Sequence, residues 1–407
     1  MNAQPRSMAE LYVRPGAPVE TGSLPKVCVV ILNFNGRHHL GRCFESLAAL
    51  DYPREKLDIL LVDNGSEDGS VEDVRAKWPW IRLIVNPRNY GFAPACNQGA
   101  SNRRDARIVA FLNNDMRVDP LWLRELVGPI VRGEAVAATS KMLSWDGSRI
   151  DSAGGGMNFH GHGLQYGYGD VPGAEHDAPR KTLFACGGAM AMDARVFDEL
   201  GGFDREYFAY YEDVDLGWRT WLAGYEVHYV PTSVCWHHHS STSKRFPPET
   251  VRLIQTRNPI LTCVKNYDDA NLRAVLPVML AIAVRRMLLV ARIPDQHPYF
   301  IYGAKPSDLD ATASVVPGNP DISREGVADL IGIHEVLSRW PYWMERRAQV
   351  QALRRRADSE LFSLFLKPLW SVEPDPVSSA MFASFTEFYG LDKLFQGLDL
   401  MGREPRQ

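Results

Sequence analysis

At 407 residues, 45% hydrophobic and 23% charged, the chain has the composition of a folded globular protein, which excludes a disordered or low-complexity polymer. Its 45 Lys and Arg against 49 Asp and Glu give a formal net charge of −4, so there is no global basic field to hold nucleic acid, and any polyanion has to be met locally. The cysteines, at 28, 43, 96, 186, 235 and 263, have neither CxxC spacing nor the density of a secreted chain, which excludes zinc-ribbon and redox motifs and fits a reducing compartment.

Residues 1–25 contain Pro5, Pro15, Pro18 and Pro25, lack the continuous apolar core of a secretory signal, and read as a flexible leader. From Lys26 onward apolar strands at 27–32, 57–62, 81–85 and 108–112 alternate with helices at 37–50, 71–78 and 93–101. Continuous apolar strands between helices predict an α/β fold, a doubly wound and mostly parallel sheet flanked by helices, with ligands at the C-terminal ends of its strands. Asp119 and Pro120 open a helix to about residue 131. The Gly-, His- and Tyr-rich run 145–180 has neither period and reads as a long irregular excursion over the site.

Regularity returns at 182–186. A short helix capped by Asp193 and stopped by Gly201 and Gly202 follows, then a helix over 212–222, a strand over 225–230, and a loop with His237, His238 and His239. After about residue 267 apolar segments are broken by Pro and Arg, 304–320 is weakly patterned, and 346–356 is basic and amphipathic, which predicts a separate helical region. The longest apolar run, 274–284, is too short to span a bilayer.

Each polar motif of the first half directly follows a strand. Asn33 and Asn35 come after the first, Asp63, Asn64 and Ser66 after the second, Asn89, Gly91, Phe92 and Asn97 after the third, and Asn113, Asn114 and Asp115 after the fourth. Asp115 offers hard oxygen ligands to Mg²⁺ or Mn²⁺, or simply serves the turn into the next helix. The Asp63 loop lets backbone approach a flat ring or ribose, or is a tight strand-to-helix turn and no more. Glu212, Asp213 and Asp215 open a helix, where the macrodipole favours acids in any case, and they cannot share one face. One then enters the site and another is structural. At most two of the three adjacent histidines point inward, one of them toward a metal begun by Asp115; the hydroxyls and cations of 240–245 suit a diphosphate or a solvated loop equally.

Taken in order, VCVVILNFNG (27–36), LLVDNGSEDGS (60–70), NYGFAPACNQG (89–99), LNNDM (112–116), the segment 187–219 ending FAYYEDVDLGWR, and VCWHHHSSTS (234–243) resemble the family-2 glycosyltransferases and their rhamnosyltransferase-like branch. The resemblance covers roughly residues 26–267. It implies a GT-A catalytic domain over 26–267, after a leader at 1–25 and before a helical region at 268–407 open to a membrane or oligomer contact. The implied activity is a metal-dependent, inverting hexosyltransferase that moves rhamnose or a similar hexose from a dTDP- or UDP-linked donor to a glycan or lipid-linked saccharide in bacterial surface polysaccharide and cell wall assembly. The protein is then cytoplasmic or peripheral on the inner face of the plasma membrane, through 275–293 and 346–356, which serve equally as a helical cap over the catalytic domain or a dimer surface.

Carried over residue by residue, the resemblance gives Asp213 as general base beside Glu212. The donor-contacting set is Asn33, Asn35, Asp63, Asn64, Ser66, Asn89, Gly91, Phe92, Asn97, Asn113, Asn114, Asp115 and Arg219. A divalent cation, Mg²⁺ or Mn²⁺, is held by Asp115 and His237. Asn113 stands where many members have an acid, a departure that weakens metal binding. Two other classes stay open: a non-catalytic scaffold of transferase-like fold that binds a glycan or nucleotide sugar, and a nucleotidyltransferase, which would release pyrophosphate in place of nucleoside diphosphate.

Overall fold

The computed structural model describes residues 11–238, 246–291, 324–369 and 376–396. His239, the run 240–245 and the stretch 304–320 lie outside the described residues.

The first half is built from β1 (Val27–Asn33), α1 (Arg37–Ala48), β2 (Leu57–Asp63), α2 (Ser70–Lys77), β3 (Arg82–Val85), α3 (Phe92–Ser101), β4 (Ile108–Asn113), β5 (Met116–Val118) and α4 (Trp122–Val131). Then come β6 (Ala137–Ser144), β7 (Ile150–Ser152), β8 (Gly155–Met157), β9 (Gly163–Gln165), β10 (Arg180–Lys181), β11 (Ala189–Asp193), α5 (Ala194–Glu199), α6 (Glu212–Leu222) and β12 (Val227–His237). The remainder is helical: α7 (Pro248–Asn266), α8 (Asp269–Val290), α9 (Arg324–Ser338), α10 (Trp340–Ala352), α11 (Pro376–Phe388) and α12 (Leu391–Leu394).

The main sheet runs β10-β12-β6-β11-β4-β1-β2-β3, with β5 added to β12 and β7 to β6. It is mixed and mostly parallel. β3, β2, β1 and β4 are mutually parallel, as are β6 and β12, while β11 runs antiparallel to both β4 and β6 and joins the two halves. The middle of the sheet departs from the sequence reading: the regularity read at 182–186 is not a strand of the sheet, which instead takes Ala189–Asp193, past Gly187 and Gly188. The excursion 145–180 carries β7, the β8–β9 hairpin and the start of β10. The strand expected at 225–230 runs on to His237 through a register shift between Val230 and Val234, where Pro231 has no N–H for the ladder.

Alternation along β1 divides the core. Val27, Val29 and Ile31 face α1 and α4, packing with Phe44, Leu47, Trp122 and Leu126. Cys28 and Val30 face α3, α6 and the C-terminal helices, in one cluster with Trp218, Leu261, Val264 and Phe365. α3 lies close enough that a Cβ on Gly99 would stand 2.3 Å from Val30 Cγ1, so only glycine fits there. The helical tail is thus the second cover of the sheet. It is pinned by Trp218, whose ring meets Tyr267 edge-on at 4.7 Å and Phe365 at 5.7 Å, contacts worth about 0.5–1.5 kcal/mol each beyond the area they bury.

The basic stretch 346–356 is turned inward. Arg347 Nη1 donates to Val264 O and Tyr267 O at 2.6 Å, Arg354 to Asn266 O, and Arg356 to Gly224 O and Tyr225 O at 2.9 and 3.0 Å. These guanidiniums cap the C-terminal ends of α7 and α6, whose last carbonyls have no partner within the helix. Val275, Val278 and Met279 of α8 are likewise core. Among the described residues no helix is long and apolar enough to cross a membrane.

Candidate active site

The loops after β1, β2 and β3 are laced together by short polar side chains. Asn33, wholly buried, donates from Nδ2 to Asp63 Oδ1 at 2.8 Å and lies within reach of the Ser66 and Ser70 hydroxyls, while its Oδ1 accepts from Asn114 at 2.7 Å. Asp63 Oδ2 accepts from Ser66 N at 2.9 Å, the Ser66 hydroxyl accepts from Asn35 N at 2.8 Å, and Asn35 Oδ1 accepts from Glu67 N at 2.8 Å. Asn64 Nδ2 donates to Asn89 Oδ1 at 2.8 Å and Gly91 O at 3.2 Å. Asp63, 1% exposed, is therefore a loop organiser in this structure, and the open surface lies beside it: Asn35, Arg37, His38, Glu67 and Asp68 border a depression of ≈ 670 Å³.

Two residues of the sequence-derived set are not brought to this edge. Asn97 clamps Phe203 through both its atoms, Nδ2 to Phe203 O at 2.7 Å and Oδ1 from Phe203 N at 3.0 Å. Arg219 is buried and donates to Asp215 Oδ2 at 2.8 Å, Leu200 O at 2.6 Å and Gly202 O at 2.8 Å. Both hold the 200–203 turn.

The turn that leads into α6 is bent out of ordinary backbone space. Phe208, Tyr210 and Tyr211 have φ of 61°, 66° and 69°, each costing of order 1–3 kcal/mol for a non-glycine residue. Gly91, at φ 93°, lets α3 approach: a Cβ there would lie 2.5 Å from the Phe208 ring. The three acids then separate. Asp215, fully buried, pairs with Arg219 and with Lys265 Nζ at 2.9 Å. Glu212 is buried, and its Oε2 has no hydrogen-bond partner; burial, then the charge of Asp213, pushes its carboxyl well above the usual range and favours the neutral acid.

Asp213 is the half-buried one. Its Oδ2 accepts from Gly187 N at 3.0 Å and its Oδ1 from Val214 N at 2.9 Å, and burial outweighs those amides to leave its carboxyl raised. A carboxylate of raised basicity, held by backbone at a helix N-terminus, is suited to accept a proton.

The opposite pole is assembled by strand pairing. β12 runs antiparallel to β5 with His237 opposite Met116, and β7 pairs with the far end of β6, so Asp115, His237 and Asp151 meet. His237 Nε2 stands 3.3 Å from Asp115 Oδ1, and its Nδ1 2.7 Å from Asp151 Oδ2. Burial works against the imidazolium, yet hydrogen bonds to Asp115 and then Asp151 raise it to about 9. Burial likewise opposes the Asp115 carboxylate, but His237 and His39 outweigh it and the net shift is downward.

A separation of 3.3 Å between an oxygen and a nitrogen donor fits one divalent ion with bonds of about 2.0–2.2 Å at roughly a right angle. Among the described residues no three His, Cys, Asp or Glu side chains converge on one point, so a bound ion would draw its remaining ligands from water and a phosphate-bearing substrate. The poles are linked by Gly187 and Gly188: Gly187 N reaches Asp213, and Gly188 O accepts from Asn113 N at 2.9 Å.

A family model described as glycosyl transferase family 2 matches residues 28–201. This segment belongs to glycosyl transferase family 2. The chain is 31% identical over 256 residues to the O-antigen biosynthesis protein RfbC of Myxococcus xanthus, covering 60% of this chain and 19% of that protein. It is 28% identical over 244 residues to the N-acetylglucosaminyl-diphospho-decaprenol L-rhamnosyltransferase of Mycobacterium tuberculosis, covering 54% of this chain and 78% of that one. The chain thus spans about a fifth of the first relative's length. The structure of GalNAc-T7 with UDP, GalNAc and Mn²⁺ superposes with a TM-score of 0.48 at 19% identity, over 65% of this chain and 51% of that chain, too loosely to carry an argument.

The family-2 match ends before α6, so Asp213, His237 and α7 all lie outside it. Sequence reasoning did not single out Asp151, His39, the turn at Gly187 and Gly188, or Asn258 of α7. Asp151 has no sequence signal, since it stands alone in a glycine-rich stretch. Asn258 has one: with Thr262 and Asn266 it forms a polar row at four-residue spacing inside an otherwise apolar helix.

Proposed function

We propose that the chain is an inverting glycosyltransferase that moves a hexose, rhamnose or one similar, from a dTDP- or UDP-linked donor to a saccharide acceptor in surface polysaccharide assembly. The observation that carries this is the turn at Gly187 and Gly188, which ties Asp213 to the end of β4 and so sets a proton acceptor and the Asp115 and His237 pair on one edge. The Mycobacterium relative's name gives a lipid-linked diphospho-saccharide as its acceptor, which favours a lipid-linked acceptor here.

In this reading the nucleotide lies over the Asn35 and Glu67 depression and its diphosphate points toward Asp115 and His237, which would hold a divalent cation. When bound, that cation would supply positive charge against the departing diphosphate. Asp213 Oδ takes the proton of the acceptor hydroxyl as that oxygen attacks the anomeric carbon from the face opposite the diphosphate. The C–O bond to the donor breaks as the new one forms, so one displacement inverts the centre. Gly187 N fixes the orientation of the base, and the raised Glu212 carboxyl disfavours a second negative charge beside it.

The test is a panel of UDP- and dTDP-hexoses scored for hydrolysis with Mg²⁺ or Mn²⁺ and after chelation. One donor hydrolysed in a metal-dependent way is expected. Failure of every donor to be hydrolysed or to raise the melting temperature overturns the reading.

A further inference from the structure

Asn258 lies in the middle of α7 and is fully buried. With Thr262 and Asn266 it forms one face of that helix, and the face docks along residues 207–215. Asn258 Nδ2 stands 3.0 Å from Tyr207 O, 3.0 Å from Ala209 O and 2.8 Å from Tyr210 O. Thr262 Oγ1 and the Tyr207 hydroxyl are 2.8 Å apart, and Asn266 Nδ2 donates to Asp215 Oδ1 at 3.0 Å. The neighbouring Arg257 donates from Nη2 to Glu206 O at 2.9 Å.

From the other side, Phe208 O accepts from Phe92 N at 2.5 Å and Ala93 N at 3.3 Å, at the start of α3. Between these two anchors Phe208, Tyr210 and Tyr211 all take positive φ, a conformation their own side chains disfavour. The backbone that delivers Asp213 is therefore imposed from outside, and a single amide meets three of its carbonyls.

We propose that Asn258 is a positioning residue for sugar transfer, holding the 207–211 turn so that Asp213 faces the acceptor hydroxyl. This rests on Asp213 being the proton acceptor. Without the amide, the carbonyls of Tyr207, Ala209 and Tyr210 lose the two N–H donors they share, Tyr207 O keeping the Ala209 N–H, and the turn relaxes toward negative φ, carrying the first turn of α6 with it. Among the described residues the depression at Asn35 and Glu67 shares no hydrogen bond with Asn258, and the turn meets the nucleotide side through Phe92 N and Ala93 N, which are held by Phe208 O and not by a carbonyl that Asn258 serves.

The experiment compares the full-length wild type with Asn258→Ala below the melting temperature of both. The donor is the nucleotide hexose that the wild type hydrolyses fastest, and UDP and dTDP with Mn²⁺ are the binding probes. The expected result is a kcat lower by about 100-fold, the scale of an ångström-sized misplacement, with donor KM and nucleotide Kd within about twofold and faster amide exchange at 208–214 but not in β1. If Asn258→Ala does not fold, Asn258→Ser, whose hydroxyl serves one carbonyl, is expected to lose about 10-fold in kcat with the same KM. A folded variant with kcat within threefold of wild type overturns the positioning role, because a purely structural asparagine would lower the melting temperature and leave turnover intact. If the wild type itself turns over no nucleotide sugar, the transfer reading fails, whatever the variants do.

Discussion

Lys265→Met tests the buried charge cluster behind the acid turn. Lys265 Nζ lies 2.6 Å from Asp204 Oδ2 and 2.9 Å from Asp215 Oδ1, with the three side chains 1%, 4% and 0% exposed. Removing the ammonium leaves two carboxylates in a dry interior, a change of the class that costs roughly 3–5 kcal/mol. Asp215 keeps Arg219 at 2.8 Å, and Asp204 keeps the half-exposed Arg346 at 3.3 Å, so the expected loss lies near the lower end, about 3 kcal/mol. Urea denaturation at pH 7 reads it. Adding Asp204→Asn removes the most poorly compensated charge and should restore about 1–2 kcal/mol, a coupling expected of groups in one network.

The sign of the pH dependence follows from the same contacts. Burial raises both carboxyls, but for Asp204 the charge of Lys265, and for Asp215 the charges of Arg219 and then Lys265, win and hold them below the ordinary range. The stabilisation is complete above the unfolded carboxylate value of about 3.9 and is lost as pH falls below it through the depressed folded values. Wild type should lose more stability than Lys265→Met on going from pH 5 to pH 2.5. A variant as stable as wild type at pH 7, or one with an unchanged acid profile, would refute the reasoning.

Three further outcomes are expected. Asp213→Asn should lower kcat by about 10²–10⁴-fold with nucleotide affinity intact, and near-normal turnover removes the base assignment. The raised Asp213 carboxyl should also put the acid limb of the wild-type kcat/KM profile above the ordinary aspartate value, and a limb at or below that value contradicts it. Asp151→Ala should weaken Mn²⁺ binding by about 10–100-fold, measured by the paramagnetic signal of free Mn²⁺ in the presence of UDP or dTDP, because the 2.7 Å bond to Nδ1 sets the direction of His237. An unchanged Kd beside a large loss in His237→Ala leaves Asp151 without that role.

Much of the first half was legible because its strands are continuous apolar runs and its turns carry Asn, Asp and Gly. The Asp193 cap, with its carboxylate taking Arg195 N and Val196 N, and the start of α6 at Glu212 were visible for the same local reasons. The centre of the sheet was not: β6 reads AATSKMLS and β11 AMAMD, small or polar residues whose strand character comes from being enclosed by neighbours. The arginines of 346–356 read as an amphipathic surface for a membrane, or a helical cap or dimer contact, because sequence spacing does not reveal that helix C-termini wait opposite them. The candidate site divided similarly. Asp115 and His237 were singled out from their motifs, whereas Asp151 and Asn258 meet their partners 86 and about 50 residues away in the chain, beyond any local pattern.

The brace on α7 also bears on protein engineering. Exchanging C-terminal halves between related transferases, with the crossover placed after the last sheet strand, would pair one parent's aromatic turn with another's asparagine row. Hybrids joined near Phe203 inherit both partners from a single parent, and these should be the ones that keep their rate.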